Sequence, residues 1–526
     1  MRGASRGRAV SIPRRSVLSV LPVLTAMAGL APRASAVRSI VDVRDFGAKG
    51  DGSTDDSAAI QAAVRALRSG ATLHFPKGSY RFAAPNPEGG AAVSITGISH
   101  VDIKFDTGAE LLMDNLDDGV GAGHAILIQG PASHISLDSV RLRWATKAPR
   151  SLGDGIRIVG YPAKITDDPP AGWSGPPAPV NDIRIADCEV GSSPQAGVIL
   201  MGVSNIKVTN LRVYDTAADG LHFNACRRAN VDGYTVTDNG DDGLALVTYY
   251  SDRPTYDSAA QTFAFPELTA WSNTDFTITN ITVSGGRANG VRFAGADGVT
   301  LRDLTVAGKQ TGAGIVVDST ADIDSGADWR YLASRGLRLE HITVADCEMG
   351  IQLLARPGAD GDRKFTDFGI SAADVNIRSC SNWAVRAESL TSQPVSGLRL
   401  DNCTVDATST TGGNGGIGLG NTQNLSFGKI SVTHSQPVVT FSASDTRNLS
   451  ISALNLSVTQ TDGVQDDSTP SALFDNCEGA INAMHVNWPQ APETWTPVHI
   501  TAKAQPVAIR KLSVKPSSII EHMRTV

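Results

Sequence analysis

Two short phrases that recur about every 23 residues predict an all-β solenoid, a single-stranded parallel β-helix. The first phrase is a polar residue followed by an alternating strand. It reads DIRIADCEV from Asp182, NIKVTNLRV from Asn205, NVDGYTV from Asn230, DFTITNITV from Asp275 and GVTLRDLTV from Gly298. The second is a glycine followed by an alternating strand, with GVIL at 197, GLHF at 220, GLAL at 243, GVRF at 290 and GIVV at 314. The glycines at 197, 220 and 243 are 23 apart, and longer steps of 45 and 38 in the first phrase mark insertions. A fixed period with short strands in constant order is the signature of stacked coils. Composition agrees: 52 Gly, 6% aromatics and few helix-forming runs. A β-sandwich or propeller is the competing fold, and Asn239-Gly240 would be its best hairpin turn. The constant order of the two phrases favours the solenoid.

The N-terminus reads as an export signal over residues 1–36. A basic start is followed by Arg14-Arg15, an apolar run from Val17 to Ala31, and Ala34-Ser35-Ala36. The run is interrupted by Pro22 and is too short for a membrane span. The paired arginines resemble a twin-arginine signal. Cleavage is expected after Ala36, which gives a secreted or periplasmic protein with no membrane anchor. The first 36 residues hold six Arg and no acid, so the remainder carries 40 basic against 53 acidic residues. That balance argues against nucleic acid as a partner. Nothing in the sequence signals oligomerisation, and a monomer is expected. Residues 37–526 are read as one β-helix domain.

Val41 to Phe82 reads as a cap on the coil stack. Thr54 is a helix N-cap by residue type, with Asp55 and Asp56 in the first turn. Ile60, Ala63, Val64 and Leu67 then form one apolar stripe. ATLHFPKGSYRF at 71–82 supplies two strands. The words DFGAKGDGSTDDSAAIQAA and LHFPKGSYRF resemble the opening of pectate-lyase-like and rhamnogalacturonase/epimerase-like right-handed β-helix proteins. The resemblance implies a right-handed coil whose open end the helix covers. Hydrolases, lyases, epimerases and phage tailspikes share that opening, so it does not select a reaction.

The six cysteines, at 188, 226, 347, 380, 403 and 477, show no metal spacing. Buried free thiols are expected. Cys380 in NIRSC and Cys403 in RLDNC are read as matching repeat positions that stack or bridge.

Chemistry is expected where the glycine phrase carries charge. Stacked one above another, the outward positions are Ile199, His222, Ala245, Arg292, Val316 and Gln352. The residues before each glycine are Ala196, Asp219, Asp242, Asn289 and Ala313. Strict alternation aims this second column inward, but burying a charged pair is costly. The glycine turn is therefore expected to swing both carboxylates out. The result is an outer patch of Asp219, Asp241, Asp242, His222, Asn289 and Arg292. An insertion at 249–274 holds Tyr249, Tyr250, Tyr256, Phe263, Phe265 and Trp271 and is expected to wall the patch. Residues 318–335 are read as a polar loop. Aromatic faces beside an acid/base pair suit a polysaccharide or oligosaccharide substrate. The plainer reading of any one Asp before Gly is a turn residue. Asp238 and Asn239 are assigned to turns, and Asp215 fits either role.

The patch resembles that of glycoside hydrolase family 28, the polygalacturonase and rhamnogalacturonase group. That family carries Asn-Thr-Asp-Gly, then Asp-Asp one coil later, then Gly-His-Gly and Arg-Ile-Lys. Here the matching words are Ala217-Ala218-Asp219-Gly220, Asp241-Asp242 and Arg292-Phe293-Ala294. The resemblance implies Asp241 as general acid, Asp219 and Asp242 as the pair that activates water, and Arg292 as a sugar contact. His222, Asn289, Tyr249, Tyr250 and Trp271 complete the expected substrate-binding set. Gly-His-Gly has no counterpart, and Ala294 stands at the family lysine, which weakens the expectation of a polygalacturonate substrate. No metal or cofactor is needed for hydrolysis, and inversion is the expected outcome. A polysaccharide lyase or epimerase is the second reading, with Ca²⁺ on the three aspartates. A non-catalytic glycan-binding β-helix is the third.

Overall fold

The computed structural model describes residues 39–162, 168–309, 311–322, 329–358, 362–410, 415–459, 468–501 and 506–517. The export-signal reading of residues 1–36 lies outside them. Thirty-six of the described strands belong to one hydrogen-bonded network, joined coil to coil in parallel register. Leu221 pairs Val198 on one side and Leu244 on the other. Leu244 in turn pairs Val291, which pairs Ile315. The 23-residue period is thus one turn of a right-handed β-helix. Asn239-Gly240 is no hairpin, because the strands on either side of it pair only with neighbouring coils in parallel.

The interior follows the alternation. Leu200, Phe223, Leu246, Phe293 and Val317 stack in register and are buried, as are Val198, Leu221, Leu244, Val291 and Ile315. Each such side chain contributes about 1.5–3 kcal/mol of burial. The glycine column has a steric cause. A Cβ at Gly220 would lie 2.2 Å from the Tyr234 hydroxyl and 2.6 Å from the Gly243 carbonyl. Only glycine lets the bend approach the next coil so closely.

The cap differs from expectation in one detail. The helix is Ser57–Ala66, with Asp56 at the N-cap position and no side-chain capping bond from it. Thr54 lies in the strand Asp51–Asp55. Asp56 instead accepts the Lys49 and Gly50 N–H groups at 2.7 and 3.0 Å, which ties the glycine-rich turn to the helix start. Ile60, Ala63 and Leu67 are buried as the stripe requires.

All six cysteines are free and buried. Cys403 pairs in register with Val375, so Cys380 and Cys403 are not equivalent positions. The similarity of NIRSC and RLDNC hid a five-residue offset. No helix among the described residues is long and apolar enough to cross a membrane. The insertion after Leu244–Val247 folds into a small three-stranded sheet of Tyr249–Tyr250, Thr255–Asp257 and Thr262–Phe265.

Candidate active site

The strand register builds the site. His124, Asp154, Ala196, Asp219, Asp242, Asn289 and Ala313 each precede a core position on successive coils. Their side chains form an acceptor ladder. His124 Nδ1 accepts the Asp154 N–H at 3.1 Å, and Asp154 Oδ1 accepts the Ala196 N–H at 3.0 Å. Asp219 Oδ1 accepts the Asp242 N–H at 3.0 Å. Asp242 Oδ1 accepts the Asn289 N–H at 3.2 Å, and Asn289 Oδ1 accepts the Ala313 N–H at 2.9 Å. One oxygen of each ladder carboxylate therefore does structural work, which is the turn reading made concrete. The other oxygen of Asp154 accepts from Arg157 and that of Asp219 meets His222, while that of Asp242 lies 3.8 Å from Arg292.

A cleft of about 620 Å³ is lined by Asp219, Asp241, Asp242, His222, Arg292 and Tyr249 among others. The expected swing at the glycine turn occurs. One carboxylate oxygen from each of Asp219, Asp241 and Asp242 lies within 4.8 Å of the others.

The three acids differ in surroundings. His222 Nδ1 donates to Asp219 Oδ2 at 2.6 Å. Burial opposes ionisation of Asp219, but the bond and charge of His222, the Asp242 N–H and Arg150 outweigh it and hold its carboxyl below the usual range. Asp242 is pushed up to about 7, by burial first and by the charges of Asp219 and Asp241, against the pull of Arg292. Asp241 is also raised, by burial and then by Asp219, although Arg150 opposes this. The Asp241–Asp242 side therefore favours the proton, and Asp219 favours the ionised form. Asp241 has no place in the ladder, and its side chain is 30% exposed against 4% for Asp242.

Several expected contacts have other roles. Asn289 does not line the cleft: its Nδ2 donates to Asp242 Oδ1 at 2.8 Å and fixes that carboxylate. Trp271 is buried, stacks under Arg227 at 3.4 Å and donates to the Asp168 carbonyl, so it packs the insertion rather than meeting a ligand. Tyr250 lines an adjoining cavity and packs on Phe365. Phe263 and Phe265 are core residues of the insertion. The wall facing the cleft is the polar turn 258–262, because the aromatic side of the insertion packs backward. Asp215 is a left-handed turn residue that accepts from Lys147 and Ser192.

Other lining residues were not anticipated. Arg150 Nη1 donates to Asp241 Oδ2 at 2.7 Å from a coil 91 residues earlier. Arg292 pairs with Asp318 through Nε at 3.0 Å and Nη2 at 2.7 Å, and lies over the Tyr331 ring. Asp318 is fully buried in the strand Ala313–Ser319, so the polar loop begins later than 318. Its place after the GIVV phrase was the available signal. DGIRI at 154–158 is a third copy of the Asp-Gly phrase and marks Asp154 and Arg157. Trp329 and Tyr331 pack against Tyr249 with their rings tilted by 40° and 38° and centroids 4.7 and 5.7 Å away. Ala294 packs beneath Tyr249 and Tyr331 in a small buried cluster, which leaves no room there for a lysine.

A family model described as rhamnogalacturonase A/epimerase, pectate lyase-like, matches residues 40–97. Alginate lyase 7 of Azotobacter vinelandii is 57% identical over 42 residues, 8% of this chain and 5% of that protein. A mannuronan C5-epimerase of the same organism is 45% identical over 56 residues, 10% of this chain and 3% of that protein. The chain thus spans a small part of the curated relatives it matches. Among solved structures, a tailspike protein of E. coli bacteriophage HK620, in complex with a pentasaccharide, superposes with a TM-score of 0.53 at 11% identity. That match covers 90% of this chain and 78% of the tailspike. A family 28 exopolygalacturonase of Yersinia enterocolitica gives a TM-score of 0.44 at 14% identity, covering 91% and 78%. Coil architecture shows a right-handed β-helix fold, and its first coils are similar to the pectate-lyase-like family over residues 40–97.

Proposed function

We propose that this protein is an exported glycoside hydrolase that cleaves a polysaccharide or oligosaccharide at the aspartate trio. The supporting observation is three carboxylates gathered in one cleft with unlike partners, His222 on Asp219, Arg150 on Asp241 and Asn289 on Asp242, which push their ionisation in different directions. Carboxyl groups whose environments push their pKa values apart serve as an acid and a base. Asp241, the most exposed of the three, donates a proton to the leaving glycosidic oxygen. Asp219, ionised and oriented by His222, takes a proton from the attacking water. Asp242, fixed by Asn289, holds that water with it. Arg292 lies 3.8 Å from Asp242 and steadies the charge that develops there.

The alternative is a lyase or epimerase with Ca²⁺ on the trio. Ca²⁺ takes 6–8 oxygen ligands. Asp219 already spends both oxygens on His222 and the Asp242 N–H, Asp242 spends one on Asn289, and Asp241 spends one on Arg150. That donor set fits the cation poorly, and we derive no step through it. A polysaccharide panel digested with and without chelator tests the reading. Saturated reducing ends that form equally in chelator are expected. Unsaturated, ultraviolet-absorbing ends that require Ca²⁺ would select the lyase.

A further inference from the structure

The arginines lining the cleft are Arg150, Arg157 and Arg292, and each is already joined to a carboxylate of the protein, as His222 is to Asp219. Arg150 pairs with Asp241, Arg157 with Asp154 and Arg292 with Asp318, each at 2.7 Å. Arg157 also donates to Gln261 Oε1 at 2.7 Å and the Ala260 carbonyl at 3.0 Å, which clamps the polar wall in place. Four carboxylates line the same cleft, those of Asp154, Asp219, Asp241 and Asp242. A ligand carboxylate would therefore enter a site whose positive charge is spent. Removing such a group from water without a partner costs several kcal/mol.

His124 supplies the polar contact that remains. Its ring lines the cleft, and Nδ1 is occupied as an acceptor by the Asp154 N–H. The Asp154 N–H, at 3.1 Å, is a closer partner of Nδ1 than Asp154 Oδ2 at 3.3 Å, and with Nδ1 accepting it the hydrogen of the neutral ring sits on Nε2. Burial also disfavours the charged ring, against the pull of Asp154. Nε2 makes no hydrogen bond within the described residues. It is a neutral donor, suited to a hydroxyl or ether oxygen. In the ladder, His124 lies three coils from Asp219, roughly 14 Å at the strand spacing. That interval is longer than one sugar ring. Tyr249 and Trp329 offer aromatic surface beside the trio.

We infer that the cleft is built for an uncharged glycan that runs from the aspartate trio to a hydrogen bond from His124 Nε2. The inference rests on the glycan reading above and specifies its substrate class. Neutral hexose or deoxyhexose units fit, and uronate units do not.

The test uses the full wild-type chain, because Asp241→Asn would unpair Arg150 and create the cation in question. Calorimetry compares tetragalacturonate and tetramannuronate, the carboxyl-reduced form of each, and a set of neutral hexose and deoxyhexose tetrasaccharides. Each is run in chelator and in CaCl₂. Binding confined to uncharged members is expected. His124→Asn should weaken it about tenfold, the loss of one hydrogen bond. Asn keeps the ladder acceptor, as Asn289 does in the same column, so folding is preserved, and thermal denaturation checks this. A uronate bound more tightly than its carboxyl-reduced form, with or without calcium, overturns the inference and leaves the glycan reading standing. Unchanged affinity in a folded His124→Asn variant overturns the placement at His124. Binding of no member overturns the glycan reading and this inference together.

Discussion

Arg150 and Asp241 are 91 residues apart in sequence and 2.7 Å apart in space. Arg150 is the cation on the proposed proton donor, and it favours the ionised form of Asp241. In the wild type, kcat/KM is expected to fall on the alkaline side as the raised Asp241 carboxyl loses its proton. Arg150→Gln removes the opposing charge, so Asp241 holds its proton to higher pH. The alkaline limb of the pH–rate profile should move upward. A limb that stays in place or moves down would refute the pairing's role.

Asp242 and Asp219 make opposite contributions to stability as pH changes. The raised value of Asp242 means that the folded chain keeps a proton which the unfolded chain releases near pH 4. Its contribution therefore falls as pH rises from about 4 to 7 and is flat above. The depressed value of Asp219 gives the reverse: stability present above the unfolded value and lost as pH falls. Denaturant titrations of wild type and Asp242→Asn should diverge with that sign, the wild type losing ground to the variant as pH rises.

Asp318 is buried between Arg292 and Arg356. Asp318→Asn leaves two guanidinium groups without their counter-charge. A loss of about 3–5 kcal/mol is expected in urea denaturation. Combining it with Arg292→Met should recover part of the loss, because one stranded charge is removed.

Asn289→Ala breaks one rung of the ladder. The Ala313 N–H loses its acceptor, and Asp242 loses the Nδ2 donor. A destabilisation of about 1–3 kcal/mol is expected from the buried unsatisfied groups, together with reduced turnover. Asn289→Asp keeps the acceptor for Ala313 but sets a carboxylate against Asp242, so turnover should fall while much of the stability returns.

The coil architecture was legible because it depends on local repetition. Leu221, Phe223, Leu244 and Leu246 announce their own depth by alternation, and stacking register follows from equal spacing. The aspartate trio was legible for the same reason, since Asp219 and Asp242 occupy one repeat position. Arg150 and Tyr331 were not, because their side chains reach the cleft from segments outside the GLHF and GLAL phrases, and Asp318 was not, because it acts from beneath the cleft through Arg292. Trp271 misled in the other direction. An aromatic in an insertion resembles a sugar platform, yet here it is needed to pack the insertion onto Arg227. Asn289 was placed in the correct column but given a ligand contact, when its two hydrogen bonds are spent on Asp242 and Ala313.

In the proposed reaction the Asp241 carboxyl delivers the proton that breaks a glycosidic bond. Turnover of the glycan found in the panel, followed by release of saturated reducing ends, tests it with Asp241→Asn beside the wild type. A fall in kcat of about 10²-fold or more is expected, with a thermal unfolding midpoint close to wild type. Turnover within a few-fold of wild type, from a folded Asp241→Asn chain, would contradict it.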